Sequence, residues 1–164
     1  MIIVVMGVSG TGKSTLGQAL AEHLGWRFIE ADDFHPAENV AKMRSGQALD
    51  DDDRAPWLNA VNDHLRQIAK RNEDAVLACS ALKQSHRRLL ADGVDDLNFV
   101  HLHGDADLVE RRLKQRRAHF MPAKLLGTQL AALEPPDDAL ALSIALPTMQ
   151  QVSRVIAVLS PSAR

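Results

Sequence analysis

The feature that most constrains this chain is a glycine-rich segment, GVSGTGKST, at residues 7–15. It fits the phosphate-binding pattern G-x-x-x-x-G-K-[ST], with Gly7, Gly12, Lys13 and Ser14 at the fixed positions. The β-branched run MIIVVM precedes it, and the apolar residues that follow recur with the spacing of a helix packed on a sheet. A strand, a glycine-rich turn and a helix together let backbone N–H groups and a helix N-terminus bind phosphate. The segment therefore predicts a site for nucleotide phosphates and leaves open where the phosphate goes.

Strand and helix patterns alternate along the whole chain. This alternation predicts an α/β fold, with a parallel β-sheet flanked by helices on both faces and the loops after the strands meeting at one edge. No linker is visible, so residues 1–164 are expected to form a single domain, with a lid sub-domain at roughly 111–136. The predicted strands are 1–6, 26–31, 75–79, 97–102 and 139–145, and the predicted helices are 13–24, 36–45, 57–71, 82–91, 105–117, 122–133 and 149–159.

Composition excludes several classes of protein. The chain has 164 residues, of which 46% are hydrophobic and 24% charged, the balance of a soluble globular protein. Its formal net charge of −2 argues against a nucleic-acid partner bound through general positive charge. The single cysteine, Cys79, rules out an internal disulfide and fits a reducing cytoplasm. The longest apolar run is too short to span a bilayer and lacks the basic leader of a secretory signal, so we expect no membrane association.

Carboxylates follow the second predicted strand. The ordinary partner of a phosphate loop is an aspartate that ends a later strand and holds the metal, but strand 75–79 ends in Cys79-Ser80. The nearest replacement is Asp32 or Asp33, where a carboxylate could accept a substrate hydroxyl proton or bind Mg²⁺ through water. The alternative is a helix N-cap, since both residues precede a predicted helix. We favour Asp32 as the functional residue.

Charged residues also cluster after the predicted helix 36–45. Residues 50–54 read DDDDR, and the carboxylates are interpreted as a solvated helix start favoured by the helix dipole. Arg54 could instead face the cleft and bind a substrate carboxylate as a bidentate fork. In CSALKQSHR, Lys83 and Arg87 are spaced i and i+4, and either bind an anion together or form an exposed basic face. We interpret Cys79 as a core residue.

The segment ERRLKQRRAHF at 110–120 is strongly basic. In a phosphoryl-transfer enzyme such a helix would close over the nucleotide and neutralise the charge that develops on the transferred group. Arg112 and Arg116 share one helix face, and the remaining basic residues are expected to be solvated. A nucleic-acid or membrane surface is the other use of a basic helix. His119 is a lone histidine, and the seven histidines show no zinc-site spacing.

Several of these segments, taken in order, resemble the gluconate kinase (gluconokinase) family of small-molecule P-loop kinases. The resemblance covers 1–136 and continues weakly beyond, and the chain departs from it at His86, where the family often has an aromatic residue. The segments that carry it are GVSGTGKS, DDFHPAENVAKM, SGQALDDDDRAPWL, CSALKQSHR and RLKQRRAHFMP, followed by LGTQLAALE.

The resemblance implies a nucleoside-monophosphate-kinase-like fold with a helical lid, often in a homodimer. It implies ATP-dependent phosphorylation of D-gluconate at the 6-hydroxyl, in sugar-acid catabolism that feeds the pentose phosphate or Entner–Doudoroff route, with ATP and Mg²⁺ bound. The residues it implies for ATP are Gly7, Val8, Ser9, Gly10, Thr11, Gly12, Lys13, Ser14, Thr15, Arg112 and Arg116. Those it implies for the sugar acid are Asp32, His35, Arg54, Lys83, Arg87 and His119. The expected catalytic residues are Lys13, Asp32 and Arg116, and the expected metal ligand is Ser14, with Asp32 reaching Mg²⁺ through water.

Two other functions stay open at this stage. A related kinase, such as one for shikimate, would share the phosphate loop, and the HP that follows the acidic pair favours the gluconate-like acceptor. A non-catalytic nucleotide sensor would bind ATP without acceptor-dependent turnover. The paired Lys13 and Ser14 and the basic segment argue against a sensor, because a passive binder has no need of them.

Overall fold

The computed structural model describes residues 1–115 and 126–159. Their strands form one sheet in which every pairing is parallel, in the order β2-β3-β1-β4-β5. This confirms the predicted α/β class and the five predicted strands. The strands are β1 (Ile2–Met6), β2 (Arg27–Glu30), β3 (Ala75–Ala78), β4 (Leu97–His103) and β5 (Leu140–Ser143).

Helices connect the strands and cover both faces of the sheet. A short 3₁₀ turn (Ala31–Phe34) directly follows β2. The predicted helices 105–117 and 122–133 are described only in part, as α5 and α6. None of the described helices is both long enough and apolar enough to cross a membrane. The helices are α1 (Lys13–Leu24), α2 (Ala37–Arg44), α3 (Asp51–Lys70), α4 (Gln84–Ala91), α5 (Ala106–Gln115), α6 (Leu126–Ala132) and α7 (Thr148–Leu159).

Strand β1 is buried on both of its faces, as expected for the central strand of a parallel sheet. Ile3 and Val5 pack into a core formed with α1, α5 and α7. Ile2, Val4 and Met6 point to the opposite face, into a core formed mainly with α3 and β3. Two apolar layers therefore fix the position of β1 and of the glycine-rich segment at its end.

Helix α3 begins at Asp51, six residues earlier than predicted, and Pro56 lies inside it. The predicted start of this helix at residue 57 was wrong because the aspartates provide a stronger N-terminus. Asp50 Oδ1 accepts from Asp53 N at 2.8 Å, and Asp53 Oδ2 accepts from Asp50 N at 3.2 Å, which forms a reciprocal capping box. Pro56 removes one hydrogen bond, to the carbonyl of Asp52, in an exposed turn where water can replace it. The acidic run is thus a helix start, as interpreted from the sequence.

We expect Asp50→Ala to lower the free energy of unfolding by about 1 kcal/mol, because the N-cap side chain is lost. In a chain of this size that corresponds to a fall in Tm of roughly 2–4 °C. Exposed Asp52 has no side-chain hydrogen bond among the described residues, and Asp52→Ala is the matched control, with an expected change below about 0.5 kcal/mol. Thermal unfolding followed by circular dichroism measures both, and equal losses in the two variants would contradict the cap.

Candidate active site

The glycine-rich segment forms the loop between β1 and α1, with a backbone that requires glycine at specific positions. Gly7 has φ 145°, and a Cβ there would lie 2.6 Å from the Leu102 carbonyl oxygen. Gly12 has φ 95° and occupies the N-cap of α1 without supplying a side-chain cap. The first-turn N–H groups of α1 therefore have no capping side chain, which leaves them for an anion.

Contacts within the loop and to β3 hold it in shape. Thr11 Oγ1 donates to the Val8 carbonyl at 2.8 Å, and Lys13 Nζ donates to the same carbonyl at 3.1 Å. Gly7 N donates to the Ser80 carbonyl at 3.3 Å, which ties the loop to the end of β3. The loop is thus shaped around an anion site by its own backbone.

Two cavities border the loop on different sides. The first cavity, of about 280 Å³, lies between the loop, the ends of β2 and β3, and the start of α3. The second cavity, of about 490 Å³, lies between the loop, α5 and the segment after β5. Their shared lining residues are Gly10 and Gly12. The polar lining of the first cavity includes Glu30, Asp32, His35, Arg54, Lys83 and His86.

Glu30, the last residue of β2, contacts the loop directly. Ser14 Oγ donates to Glu30 Oε2 at 2.6 Å, in a partly buried position. Burial raises the pKa of the Glu30 carboxyl above its usual range, while the Ser14 hydrogen bond and the Lys13 charge oppose that rise. The sequence does not reveal Glu30, because the residue lies inside the predicted strand 26–31, whereas in the structure it ends β2 at the edge that carries the loop.

The two aspartates after β2 occupy different positions. Asp32 lines the first cavity, whereas Asp33 is exposed and does not. Helix α2 begins after Pro36, which is its N-cap residue, so neither aspartate caps it. The alternative interpretation of these residues as helix caps is therefore wrong for α2, and of the two aspartates only Asp32 lines the first cavity.

His35 packs beside Asp32 and is held on three sides. Its ring stacks on Trp57, with centroids 4.1 Å apart, and Trp57 Nε1 donates to the Ala31 carbonyl at 2.7 Å. The Asn39 amide nitrogen lies 3.4 Å from Nδ1, and Nε2 lies 3.8 Å from Asp32 Oδ1. An amide NH₂ only donates, so Nδ1 accepts and the proton of the neutral ring faces Asp32. Burial lowers the pKa of His35 to about 4, so the ring is neutral at pH 7.

Arg54 and Lys83 bring positive charge to the first cavity in different ways. Lys83 Nζ is paired with Asp51, with Nζ to carboxylate oxygen distances of 2.7 and 2.8 Å. Arg54 uses Nε to donate to the Leu49 carbonyl at 3.3 Å, and its terminal nitrogens make no hydrogen bond to the described residues. Burial lowers the pKa of Arg54 from its usual value, and the nearby aspartates oppose that change. Arg54 is therefore the cation best placed to bind an anionic group.

Arg87 does not line the first cavity. It is buried on α4, and its Nη1 donates to the carbonyls of Ala81 and Leu82 at 3.1 Å each. The i, i+4 spacing from Lys83 does not bring both cations to one anion, because Lys83 is the N-cap residue of α4 rather than part of it. Cys79 is fully buried and burial raises the pKa of its thiol to about 12, which confirms it as a core residue.

Gln129 of α6 is a second site residue that the sequence did not reveal. Its Oε1 accepts from Ser9 N at 2.7 Å, so a buried amide side chain contacts the phosphate loop. The segment LGTQLAALE had been noted only for its resemblance, since a glutamine on a helix gives no separate signal.

Arg112 lies at the second cavity, and its Nη2 donates to the Ile144 carbonyl at 2.8 Å. Exposed Lys114 pairs with Glu110 at 2.8 Å, which fits the expectation that part of this basic helix is solvated. Arg116 and His119 fall outside the described residues.

The low pKa of His35 gives a test that needs no ligand. The unfolded chain binds a proton near the ordinary pKa of 6.5 and the folded chain only near 4, so stability falls as pH drops through that window. We expect the wild type to lose up to about 3 kcal/mol more than His35→Gln between pH 7 and pH 4. Urea unfolding across that range measures it. His23→Gln, at an exposed position of α1, should follow the wild type, and identical pH slopes in wild type and His35→Gln would contradict the argument.

Comparisons with known proteins place this site in a family. The family model described as "AAA domain" matches residues 2–136. The thermoresistant gluconokinase of Escherichia coli is 41% identical and aligns over 96% of this chain and 93% of its own length. The gluconokinase of Gluconobacter oxydans is 52% identical over 83% of this chain and 76% of its own length. The crystal structure of a gluconokinase from Sinorhizobium meliloti superposes with a TM-score of 0.86 at 45% identity, covering 96% of this chain and 90% of that one. By the match of its sequence, its sheet order and its phosphate loop, the chain belongs to the gluconokinase family of P-loop kinases.

Proposed function

We propose that this chain transfers the γ-phosphate of ATP to the 6-hydroxyl of D-gluconate, giving 6-phospho-D-gluconate and ADP. The observation that carries the proposal is the first cavity, which combines a phosphate loop, the carboxylate of Asp32 and the guanidinium of Arg54. The gluconokinases among the relatives support the same acceptor. Gluconate is a linear polyol with one carboxylate, so its site needs one cation and several hydrogen-bonding groups.

Arg54 is the proposed ligand of the gluconate carboxylate. Its terminal nitrogens make no hydrogen bond to the described residues, and a guanidinium binds a carboxylate with two parallel hydrogen bonds. Lys83 would have to exchange its contact with Asp51 for one with the substrate. Asp32 and His35 would then bind hydroxyl groups. Arg87 is not part of this proposal, because its guanidinium is buried against main-chain carbonyls.

Asp32 is the proposed base. The 6-hydroxyl oxygen forms a bond to the γ-phosphorus, the bond from that phosphorus to the bridging oxygen of ADP breaks, and the hydroxyl proton passes to the Asp32 carboxylate. The neutral His35 ring, with Nε2 facing Asp32 at 3.8 Å, orients the carboxylate without forming a fixed ion pair with it. Lys13 neutralises charge on the outer phosphates. These residues work mainly by position and charge.

Mg²⁺ fits the residues around Ser14. The Ser14 hydroxyl and the Glu30 carboxylate lie 2.6 Å apart, and both offer the oxygen ligands that Mg²⁺ prefers. Burial raises the pKa of Glu30, so a nearby cation would stabilise its charged form. When bound, Mg²⁺ neutralises charge on the β- and γ-phosphates. We therefore propose that Ser14 and Glu30 would both be ligands of Mg²⁺, and that Asp32 would reach the ion through a water molecule. Among the described residues, no three or more His, Cys, Asp or Glu side chains are grouped so that they could hold a metal ion together.

The second cavity is the proposed nucleotide side. It is lined by Gly10–Gly12, Thr15 and Arg112, and by the residues from Ile144 to Thr148 that follow β5. Arg112 is fixed to this segment through the Ile144 carbonyl, so its charge lies beside the phosphate loop.

The lid over 111–136 and the roles of Arg116 and His119 remain predictions, as do the cytoplasmic location and the homodimer. Light scattering on the purified protein tests the dimer.

An acceptor screen tests the reaction. We expect ADP release to require ATP, Mg²⁺ and D-gluconate together, because only an acceptor hydroxyl in the first cavity can take the phosphate. A coupled ADP-release assay over sugar acids, shikimate and nucleosides measures this. Turnover with shikimate instead of gluconate would overturn the substrate and keep the kinase. Binding of ATP with no acceptor-dependent turnover would indicate a nucleotide sensor.

Asp32→Asn should reduce kcat by about 10²–10⁴-fold, because the base is lost while the shape is kept. The KM for ATP should stay within about twofold, since ATP would lie on the other side of the loop. Asp33→Asn is the matched control, as Asp33 is adjacent in sequence but exposed and outside the cavity lining. Steady-state kinetics with both substrates varied gives these constants. A similar loss in both variants, or unchanged kcat in Asp32→Asn, would exclude Asp32 as the base.

A further inference from the structure

His86 is a buried polar side chain in the first cavity that the mechanism above does not use. It lies in the first turn of α4, is 6% exposed, and forms part of the cavity lining. The Lys83 main-chain N–H faces its Nδ1 at 3.4 Å, so Nδ1 accepts and Nε2 carries the proton of the neutral ring. The orientation of the imidazole is therefore set by the start of its own helix.

The Nε2 of His86 has no hydrogen-bond partner among the described residues. The nearest carboxylate oxygen, Asp51 Oδ1, lies 3.7 Å away, which is too far for a hydrogen bond. A buried donor without a partner is destabilising, and such groups in folded proteins call for an explanation. The residue lines the same cavity as Arg54 and Lys83, so a ligand in that cavity is the candidate partner for this donor.

The surroundings of His86 keep its ring neutral. Burial, the guanidinium of Arg54 and the ammonium of Lys83 all lower the pKa of His86, and Asp51 opposes them. The ring therefore offers the cavity a single N–H donor rather than a further positive charge beside Lys13, Arg54 and Lys83. His101 differs from His86 in position: its Nε2 is also buried without a hydrogen-bond partner among the described residues, but the residue does not line the first cavity.

We propose that His86 binds the acceptor directly, its Nε2–H donating a hydrogen bond to an oxygen of the sugar acid beside Arg54. The proposal rests on the proposed function, because it takes the first cavity as the sugar-acid site. It makes His86 a specificity residue: an acceptor without that oxygen leaves a buried donor unpaired and is rejected.

Substitution of His86 by Phe and by Gln tests the contact. Phe keeps a planar ring and removes the donor, and we expect the KM for gluconate to rise about tenfold with the KM for ATP changed less than twofold. Gln retains an N–H donor and should restore most of the affinity. His86→Phe also removes the Nδ1 acceptor of the Lys83 N–H, so its Tm is measured beside that of the wild type to establish that the variant is folded. His101→Gln is the control, with unchanged KM for both substrates.

Deoxy analogues identify the oxygen. The analogue that lacks the contacted hydroxyl should show the same KM in wild type and His86→Phe, whereas a tenfold difference with every deoxy analogue would assign the contact to the carboxylate. An unchanged gluconate KM in His86→Phe, or equal rises in both KM values that Gln does not reverse, would overturn the proposal.

Wild-type turnover is measured first. If gluconate is not phosphorylated at all, the proposed function fails, whereas normal turnover with unaffected variants overturns the role of His86 alone. A change in the ¹⁵N shift of His86 Nε2 when gluconate is added to labelled wild type checks the contact without a substitution, and no change would overturn it.

Discussion

The burial of β1 between two apolar layers is the constraint on which the site depends. Because β1 pairs with β3 on one side and β4 on the other, its end is fixed with respect to the ends of those two strands. The loop that follows is held to β3 through Ser80, and Gly7 passes against the Leu102 carbonyl of β4 with no room for a side chain. The anion site is rigid because the strand that carries it cannot shift without disturbing both cores.

Burial away from water shifts the pKa values of several side chains that line the first cavity. Burial raises the pKa of Glu30 and lowers those of His35 and His86, because it disfavours the charged form of each side chain. Arg54 stays cationic, and its terminal nitrogens make no hydrogen bond to the described residues. An acceptor anion and a metal cation would each compensate a charge that the protein alone leaves unbalanced. The first cavity therefore suits charged ligands: the Arg54 guanidinium can bind an anion, and the Glu30 carboxylate can bind a cation.

The sequence predicted the sheet, the phosphate loop and the family, because these depend on local periodicity and on spacings within short segments. Asp32 follows β2 and was expected at the edge where parallel strands end, and the structure brings Arg54 of α3 into the same cavity. The sequence did not reveal Glu30 or Gln129, whose contacts with Ser14 and Ser9 span 16 and 120 residues. Spacing on a helix suggested that Arg87 would join Lys83, but α4 begins after Lys83 and turns Arg87 toward carbonyls. Side-chain direction at a helix end depends on packing that no local pattern contains.

Gln129 connects the phosphate loop to the chain that follows the basic segment. Its carbonyl oxygen accepts from the Ser9 N–H at 2.7 Å, where the loop borders the first cavity. Gly10, the next residue in the loop, is packed against Leu113 of α5, since a Cβ there would lie 2.7 Å from the Leu113 Cγ. The helices before and after residues 116–125 therefore contact neighbouring residues of the loop, α5 at Gly10 and α6 at Ser9. A movement of either helix relative to β1 would therefore disturb the packing of the loop, so the geometry of the anion site depends on α5 and α6 as well as on the sheet.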